Sequence, residues 1–203
     1  MKTRDVVYPA HGVIGQVYFP LTGMVSLVVN MEDGATIEVG SIGNEGMAGT
    51  PLALGADSSP VEAVVQIAGE ALRLPRKDFE RELKRSLALR DAAHRYAQTL
   101  TGQISQSLAC NHLHQVQSRF CRWLLLAHDR VGGDQMVLTQ QFVAQMLGVR
   151  RPSVTVVAGV LQKAGLIRYS RGNLTILDRR RLEAGACECY RIVRRYTEGL
   201  LLA

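Results

Sequence analysis

The spacing of apolar positions along this chain changes twice and divides it into three regions. Up to about residue 75, short Val- and Ile-rich runs follow one another: "QVYFPLTGMVSLVV", "ATIEVGSIG" and "VEAVVQIAGEALRLP". Turn signals separate them, in "LTGM", "MEDGA", "GADSSP" and "IAGEA". Strands this close together and hairpin-linked, with little helix between them, predict a small barrel, jelly roll or β-roll rather than βαβ units. From Arg76 the period becomes helical. "RKDFERELKRS" predicts a short amphipathic helix, and a longer one follows from about Leu87 to Cys110. Along it Leu89, Ala93, Tyr96, Leu100, Ile104 and Leu108 recur every three or four residues, while Arg95, Gln98, Gln103 and Gln106 lie off the stripe. So narrow a stripe suits a coiled-coil seam, and predicts a dimerisation helix; the alternative is a helix packed on its own domain.

The third region is helical and basic. "SRFCRWLLLAHDRVGG" predicts a buried helix stopped by a Gly-Gly pair. Between Leu138 and Ile167, "LTQQFVAQMLGVRRPSVTVVAGVLQKAGLI" carries the offsets of a helix-turn-helix. Thr139 is the N-cap of a first helix that buries Val143, Met146 and Leu147, with small Ala144 at the crossing. Gly148 makes the turn, Val149 plugs it, and Val154, Val157, Val160 and Leu161 form the inner face of a second helix. In a helix-turn-helix the N-terminal end of that second helix enters the DNA major groove, which presents Arg150, Arg151, Ser153 and Thr155 to DNA. Thr139 and Gln140 at the start of the first helix join them. Pro152 falls in the first turn, where its missing N–H costs little. "LIRYSRGNLTILD" then predicts a hairpin wing about an Arg-Gly-Asn turn, with Arg168 and Arg171 along the phosphate backbone. "DRRRLEAGACECYRIVRRY" predicts one closing basic helix.

Charge follows the same division. The formal net charge is +6, but residues 1–84 hold 7 Lys and Arg against 11 Asp and Glu. Residues 85–112 hold 3 against 1, and residues 113–203 hold 14 against 6. An acidic first part joined to a basic last part predicts three segments, 1–84, 85–112 and 113–203, of which the last meets a polyanion. No run approaches the ~18–20 apolar residues of a membrane span, and the start lacks a signal-peptide pattern, so a cytoplasmic protein with no membrane partner is expected.

The four cysteines, Cys110, Cys121, Cys187 and Cys189, are expected to be free thiols. The one-residue spacing of Cys187 and Cys189 is too short for the usual CxxC metal knuckle, and His112 and His114 are the only evident extra ligands. No metal site is therefore expected. The same close spacing strains a direct disulfide between Cys187 and Cys189, leaving a redox switch only by intermolecular or metal-mediated routes. An enzyme is not expected either. His11 is the only histidine before residue 94, which leaves a metal enzyme on the β-domain without ligands, and no Ser/His/Asp or Cys/His set stands out.

An α+β chain with a β-roll, a long dimer helix and a winged helix-turn-helix, in that order, resembles the Crp/Fnr family of bacterial transcription regulators. The resemblance is carried by "VYFPLTGMVSLVV", "IEVGSIGNEGM" and the block from Leu138 to Asp178, and the start is short of the family layout by roughly one helix and strand. It implies a homodimer on a palindromic double-stranded DNA operator, RNA polymerase as a further partner, and a β-roll that senses a small molecule or has lost its ligand. Family members that bind cyclic AMP use a Gly-Glu element and, some ten residues later, an Arg-Ser pair. Glu45, with Gly46 and Met47, matches the first, and the dimer-helix contact to the purine falls near Ile104 and Ser105. The arginine has no match, because none stands between Arg4 and Arg73. Burying a cyclic phosphate without a cation is costly, so cyclic AMP is not the expected effector, although a non-standard pocket is the alternative. The iron–sulfur members' N-terminal cysteines are absent, so no cluster of that kind is expected. His94 is the one candidate for a haem ligand near the β-roll.

Overall fold

The structure, a computed structural model, describes residues 1–201. Its first part is all-β, from β1 (Val6–Tyr8), β2 (Gln16–Pro20), β3 (Met24–Asn30), β4 (Thr36–Ile42), β5 (Glu62–Ile67) and β6 (Ala71–Pro75), with a single helical turn, α1 (Thr50–Ala53). One sheet has the antiparallel order β1-β5-β3-β4, and β2 pairs with β6 in a second. Inward alternation fills the space between them with Ile14, Val17, Val25, Leu27, Ile42, Ala63 and Val65, all 4% exposed or less. The strand β1, too short to carry a periodic signal, is absent from the sequence-based expectation.

Two helices then leave the roll. α2 (Arg76–Arg85) drives Phe79 into the β-core, and α3 (Leu87–Leu113) starts at Ser86, whose side chain accepts a hydrogen bond from the Leu89 amide at 3.2 Å. The apolar stripe of α3 does not lie free as the predicted dimer seam. Ala93, Tyr96 and Leu100 are buried in the β-domain core, Ile104 packs against the same core and Leu89 is half-buried, whereas Leu108 is 63% exposed. Periodicity reports that a face is covered, not what covers it, and here the cover is the chain's own sheet.

α4 (Val116–Val131) begins three residues after α3 ends and stops at Gly132, in the left-handed region with φ 73°. Beyond it come β7 (Gln135–Val137), α5 (Gln140–Leu147), α6 (Arg151–Lys163), β8 (Ile167–Ser170), β9 (Asn173–Ile176), α7 (Arg179–Gly185) and α8 (Cys189–Leu201). The wing is a three-stranded sheet of order β7-β9-β8 rather than a lone hairpin. The predicted single closing helix is instead two: α7 ends at Gly185, which packs close to the Cys121 sulfur, and Ala186 turns to extended backbone at ψ 155°. Cys187 occupies that break and Cys189 opens α8.

The second core is not confined to the C-terminal region. Phe120, Leu124, Leu125 and Leu147 of α4 and α5 form one cluster with Met24, Val28 and Ile67 of the β-sheet. Each fully buried large side chain there contributes about 1.5–3 kcal/mol, so the C-terminal region is docked on the β-roll and not merely tethered to it.

Candidate nucleic-acid interface and sensing site

α5 and α6 meet at Gly148, whose backbone is left-handed (φ 61°), as the turn requires. Thr139 caps α5 by accepting from the Phe142 amide at 3.2 Å. Val143, Ala144, Met146 and Leu147 are buried. On α6 the inner face is Val154, Ala158 and Leu161; Val157 is half-buried and Val160, expected inside, is 45% exposed, one step round the helix from Leu161. Arg150 is the N-cap of α6, and Arg150, Arg151 and Thr155 are exposed while Ser153 is half-buried. The Thr155 hydroxyl donates to Gln140 Oε1 at 2.7 Å, locking the first turn of α5 to α6. On the wing, Arg171 and Gly172 form the two-residue loop between Ser170 and Asn173, both with positive φ (49° and 82°), the pattern of a type I′ turn. Thr139, Gln140, Arg151, Arg171 and Gly172 together line one open recess of about 490 Å³. Arg168 lies outside it, exposed on β8. Of the three closing arginines, Arg179 is committed elsewhere, to Asp129 at 2.5 Å and to the Tyr190 hydroxyl at 2.8 Å.

The Glu45 region is built differently from an open binding site. Glu45 accepts two hydrogen bonds from Arg130 of α4, Nη2 to Oε1 at 2.6 Å and Nε to Oε2 at 3.1 Å, and both side chains are 5–6% exposed. Arg130 also donates to the Ser41 hydroxyl at 2.8 Å, and Gln103 of α3 reaches the same hydroxyl at 2.9 Å. Burial acts to raise the Glu45 pKa, but the Arg130 charge and its hydrogen bonds prevail and hold it below the usual carboxylate value. Nearby, Glu38 accepts from Trp123 Nε1 at 3.0 Å and from the Ser26 hydroxyl at 2.5 Å. Here burial prevails, and the Glu38 pKa is raised. Two carboxylates of the roll, the half-buried Glu38 and the enclosed Glu45, are thus held by side chains of α4.

Sequence profiles match this chain in two places: a cyclic nucleotide-binding domain over residues 2–86 and a Crp-like helix-turn-helix domain over residues 118–184. The chain belongs to the Crp/Fnr family. It is a transcription regulator of that type, with a β-roll domain of the cyclic nucleotide-binding kind and a helix-turn-helix head. Solved structures agree in fold. A CRP-family transcriptional regulator from Thermus thermophilus has 19% identity and a TM-score of 0.74, over 92% of this chain and 95% of that one. FixK2 of Bradyrhizobium japonicum has 16% identity and a TM-score of 0.76, over 92% and 94%. The c-di-GMP responsive global regulator CLP of Xanthomonas campestris has 19% identity and a TM-score of 0.61, over 88% and 92%. Comparison with curated protein sequences finds no match. Among the described residues no helix is long and apolar enough to cross a membrane.

Within this Crp/Fnr architecture the expected effector residues separate. Glu45, Gly46 and Met47 line a cavity of about 350 Å³ between the roll and α3, with Phe19, Leu21, Ala93, Arg95 and Tyr96 also in its wall. The Glu45 carboxylate is committed to Arg130, a residue more than 80 positions away that no local spacing could have paired with it. Gly46 is fixed by the Tyr96 ring, since a Cβ there would lie 1.9 Å from it. Ser105 is not in the cavity; it sits on the exposed side of α3 with its hydroxyl bonded to the Thr101 carbonyl. His94, the haem candidate, contacts the Ala53 carbonyl at 3.2 Å and is exposed.

Sequence spacing missed one further constellation. The end of α3 and the break before α8 bring Cys110, His114, Cys187 and Cys189 together, with their donor atoms all within 4.8 Å of one another. The available signal was the four-residue step from Cys110 to His114 at a helix end. The step to Cys187 is supplied only by the packing of α8 on α3.

Proposed function

We propose that the protein is a homodimer whose two winged heads bind a two-fold-symmetric operator, with α6 in the major groove. The observation that carries this reading is the convergence of Thr139 and Gln140 from α5, Arg151 from α6 and Arg171 from the wing on one open recess. Arg150, Arg151, Ser153 and Thr155 read or position the DNA at the α6 entry, and Arg168 and Arg171 hold phosphates beside it. Dimerisation uses the side of α3 turned away from the roll, where Gln98, Thr101, Ser105, Leu108 and His112 follow a three–four spacing and are all exposed. The head would recruit or block RNA polymerase as its regulatory output, and the protein acts as a regulator without catalysis.

The sensing part of the proposal concerns the 350 Å³ cavity. Its wall is mostly apolar, Glu45 is neutralised from within, no arginine of the roll stands between Arg4 and Arg73, and the one arginine in the wall, Arg95 of α3, is exposed to solvent rather than enclosed. A compact, largely apolar effector suits that wall better than a cyclic phosphate. The experiment is selection of bound fragments from genomic DNA, followed by affinity measurement over a salt series with and without cyclic AMP. Replacing Arg151 with Ala should cost about 1–3 kcal/mol of discrimination on the selected site, and Arg168→Ala should lower the salt slope by about one unit on every sequence. Selection that enriches nothing would overturn the DNA-binding reading. Tight binding only with cyclic AMP would overturn the effector reading alone.

A further inference from the structure

We infer that Cys110, His114, Cys187 and Cys189 form a mononuclear, tetrahedral Cys3His metal site, with zinc as the fitting ion, that fastens the end of α3 to the start of α8. The geometry on which this rests is that of a closed four-ligand shell. The Cys110 and Cys187 sulfurs are 3.5 Å apart and Cys189 Sγ is 3.6 Å from His114 Nδ1. A tetrahedron with metal–sulfur bonds of about 2.3 Å has sulfur–sulfur edges of about 3.8 Å. Donors all within 4.8 Å of one another leave room for a single ion and not for a multi-iron cluster, whose cysteines sit farther apart.

The surroundings complete the site. The other nitrogen of His114, Nε2, lies 3.2 Å from Glu188 Oε2, which is the carboxylate–histidine–metal arrangement that fixes a ligand tautomer. Gln106 Nε2 donates to Cys189 Sγ at 3.0 Å. All three cysteines are buried, at 0%, 7% and 1% exposure. Three thiolates around a divalent ion carry a net negative charge, and buried cations stand ready to balance it. Arg122, which reaches the Ser107 hydroxyl one helical turn before Cys110, and Arg119 are 6% and 7% exposed, and each has an Nε without a hydrogen-bond partner among the described residues. A buried guanidinium short of partners beside neutral thiols is costly; beside an anionic metal–thiolate centre it is compensated. Arg119 also donates to the Leu147 carbonyl, the last residue of α5. Binding balances simply: the ion enters, the remaining thiol protons leave to solvent, and no electrons move.

The test is metal analysis of the full-length, untagged protein purified without chelators. About one zinc per chain is expected, falling to background in Cys187→Ser and in Cys110→Ser but retained in Cys121→Ser, whose thiol lies outside the cluster. Because a cysteine variant can fail by unfolding, the wild-type protein is also stripped and titrated with cobalt(II). The expected signal is an intense visible d–d band with sulfur-to-metal charge transfer, saturating at one equivalent, and a shifted spectrum in folded His114→Cys. A wild-type chain that is purified metal-free and gives only the weak spectrum of octahedral cobalt would overturn the proposal. So would equal zinc content in Cys187→Ser.

Discussion

Removing Arg130 alone should destabilise the protein by an amount that can be worked from its surroundings. In Arg130→Met, Glu45 loses both of its guanidinium hydrogen bonds, at 2.6 and 3.1 Å, and keeps only the Gly43 amide at 3.1 Å. A carboxylate 6% exposed cannot stay charged there without a partner, and it takes up a proton instead. At pH 7, protonating a group with an unfolded-state pKa near 4.5 costs about 1.4 kcal/mol per pH unit, or about 3–4 kcal/mol. That agrees with the ~3–5 kcal/mol typical of breaking a buried pair from one side. For a chain of this size it is about 6–15 °C in Tm. The sign with pH follows from the two folded states. In wild type the lowered Glu45 pKa keeps the pair's contribution intact from pH 7 to pH 5, to be lost only as pH falls through the folded-state value below 4.5. In the variant the neutral Glu45 costs less as pH approaches 4.5, so the penalty of Arg130→Met should shrink by about 2–3 kcal/mol between pH 7 and pH 5. The double variant Glu45→Gln/Arg130→Met removes both charges and should recover at least half of the loss at pH 7. Urea denaturation followed by circular dichroism at fixed protein concentration gives all four corners of the cycle at both pH values. A single-variant cost below 1 kcal/mol that is equal at pH 5 and pH 7 would refute the reasoning, and with it the docking of α4 on the roll.

Two further outcomes follow from neighbouring side chains. Glu38, raised by burial, has the opposite sign to Glu45: its folded state binds a proton more readily, so stability is lost as pH rises from 4.5 through the folded value. Glu38→Gln should therefore raise Tm at pH 8 and leave it unchanged at pH 4.5, and an identical difference at both values would contradict that assignment. Tyr96 is 4% exposed, with no hydrogen-bond partner for its hydroxyl among the described residues, so Tyr96→Phe should be neutral or stabilising by up to about 1 kcal/mol in the same denaturation assay; a loss above 1 kcal/mol would reveal a partner for the hydroxyl.

The helix-turn-helix was legible because its signal is local. Thr139, Gly148 and the buried positions lie within one short stretch, and cap, turn and inner face each need a particular residue type. Val160 was misplaced because adjacent positions on a helix differ by about 100°, and Val160-Leu161 offers two apolar residues for one inward slot. The α3 stripe was visible, but its partner was not, since a sheet and a second helix ask for the same periodicity. The pairs Glu45–Arg130 and Cys110–Cys187 depend on contacts across 77 or more residues, where sequence spacing carries no information. The break at residues 186–188 was hidden by composition, because "GACEC" lacks the proline or polar run that marks most helix interruptions.

The hydrogen bond from Thr155 to Gln140 also fixes a polarity. The threonine hydroxyl has one proton, and its two acceptors, Gln140 Oε1 at 2.7 Å and the Arg151 carbonyl at 3.2 Å, both belong to the protein. What remains outward is a lone pair. At a base edge such a hydroxyl can only accept, which matches the amino groups of adenine and cytosine and rejects the carbonyls of guanine and thymine. Gln140, its oxygen engaged, turns only N–H donors outward, suited to a phosphate. A single intramolecular proton thereby separates the two residues by the kind of atom each can meet.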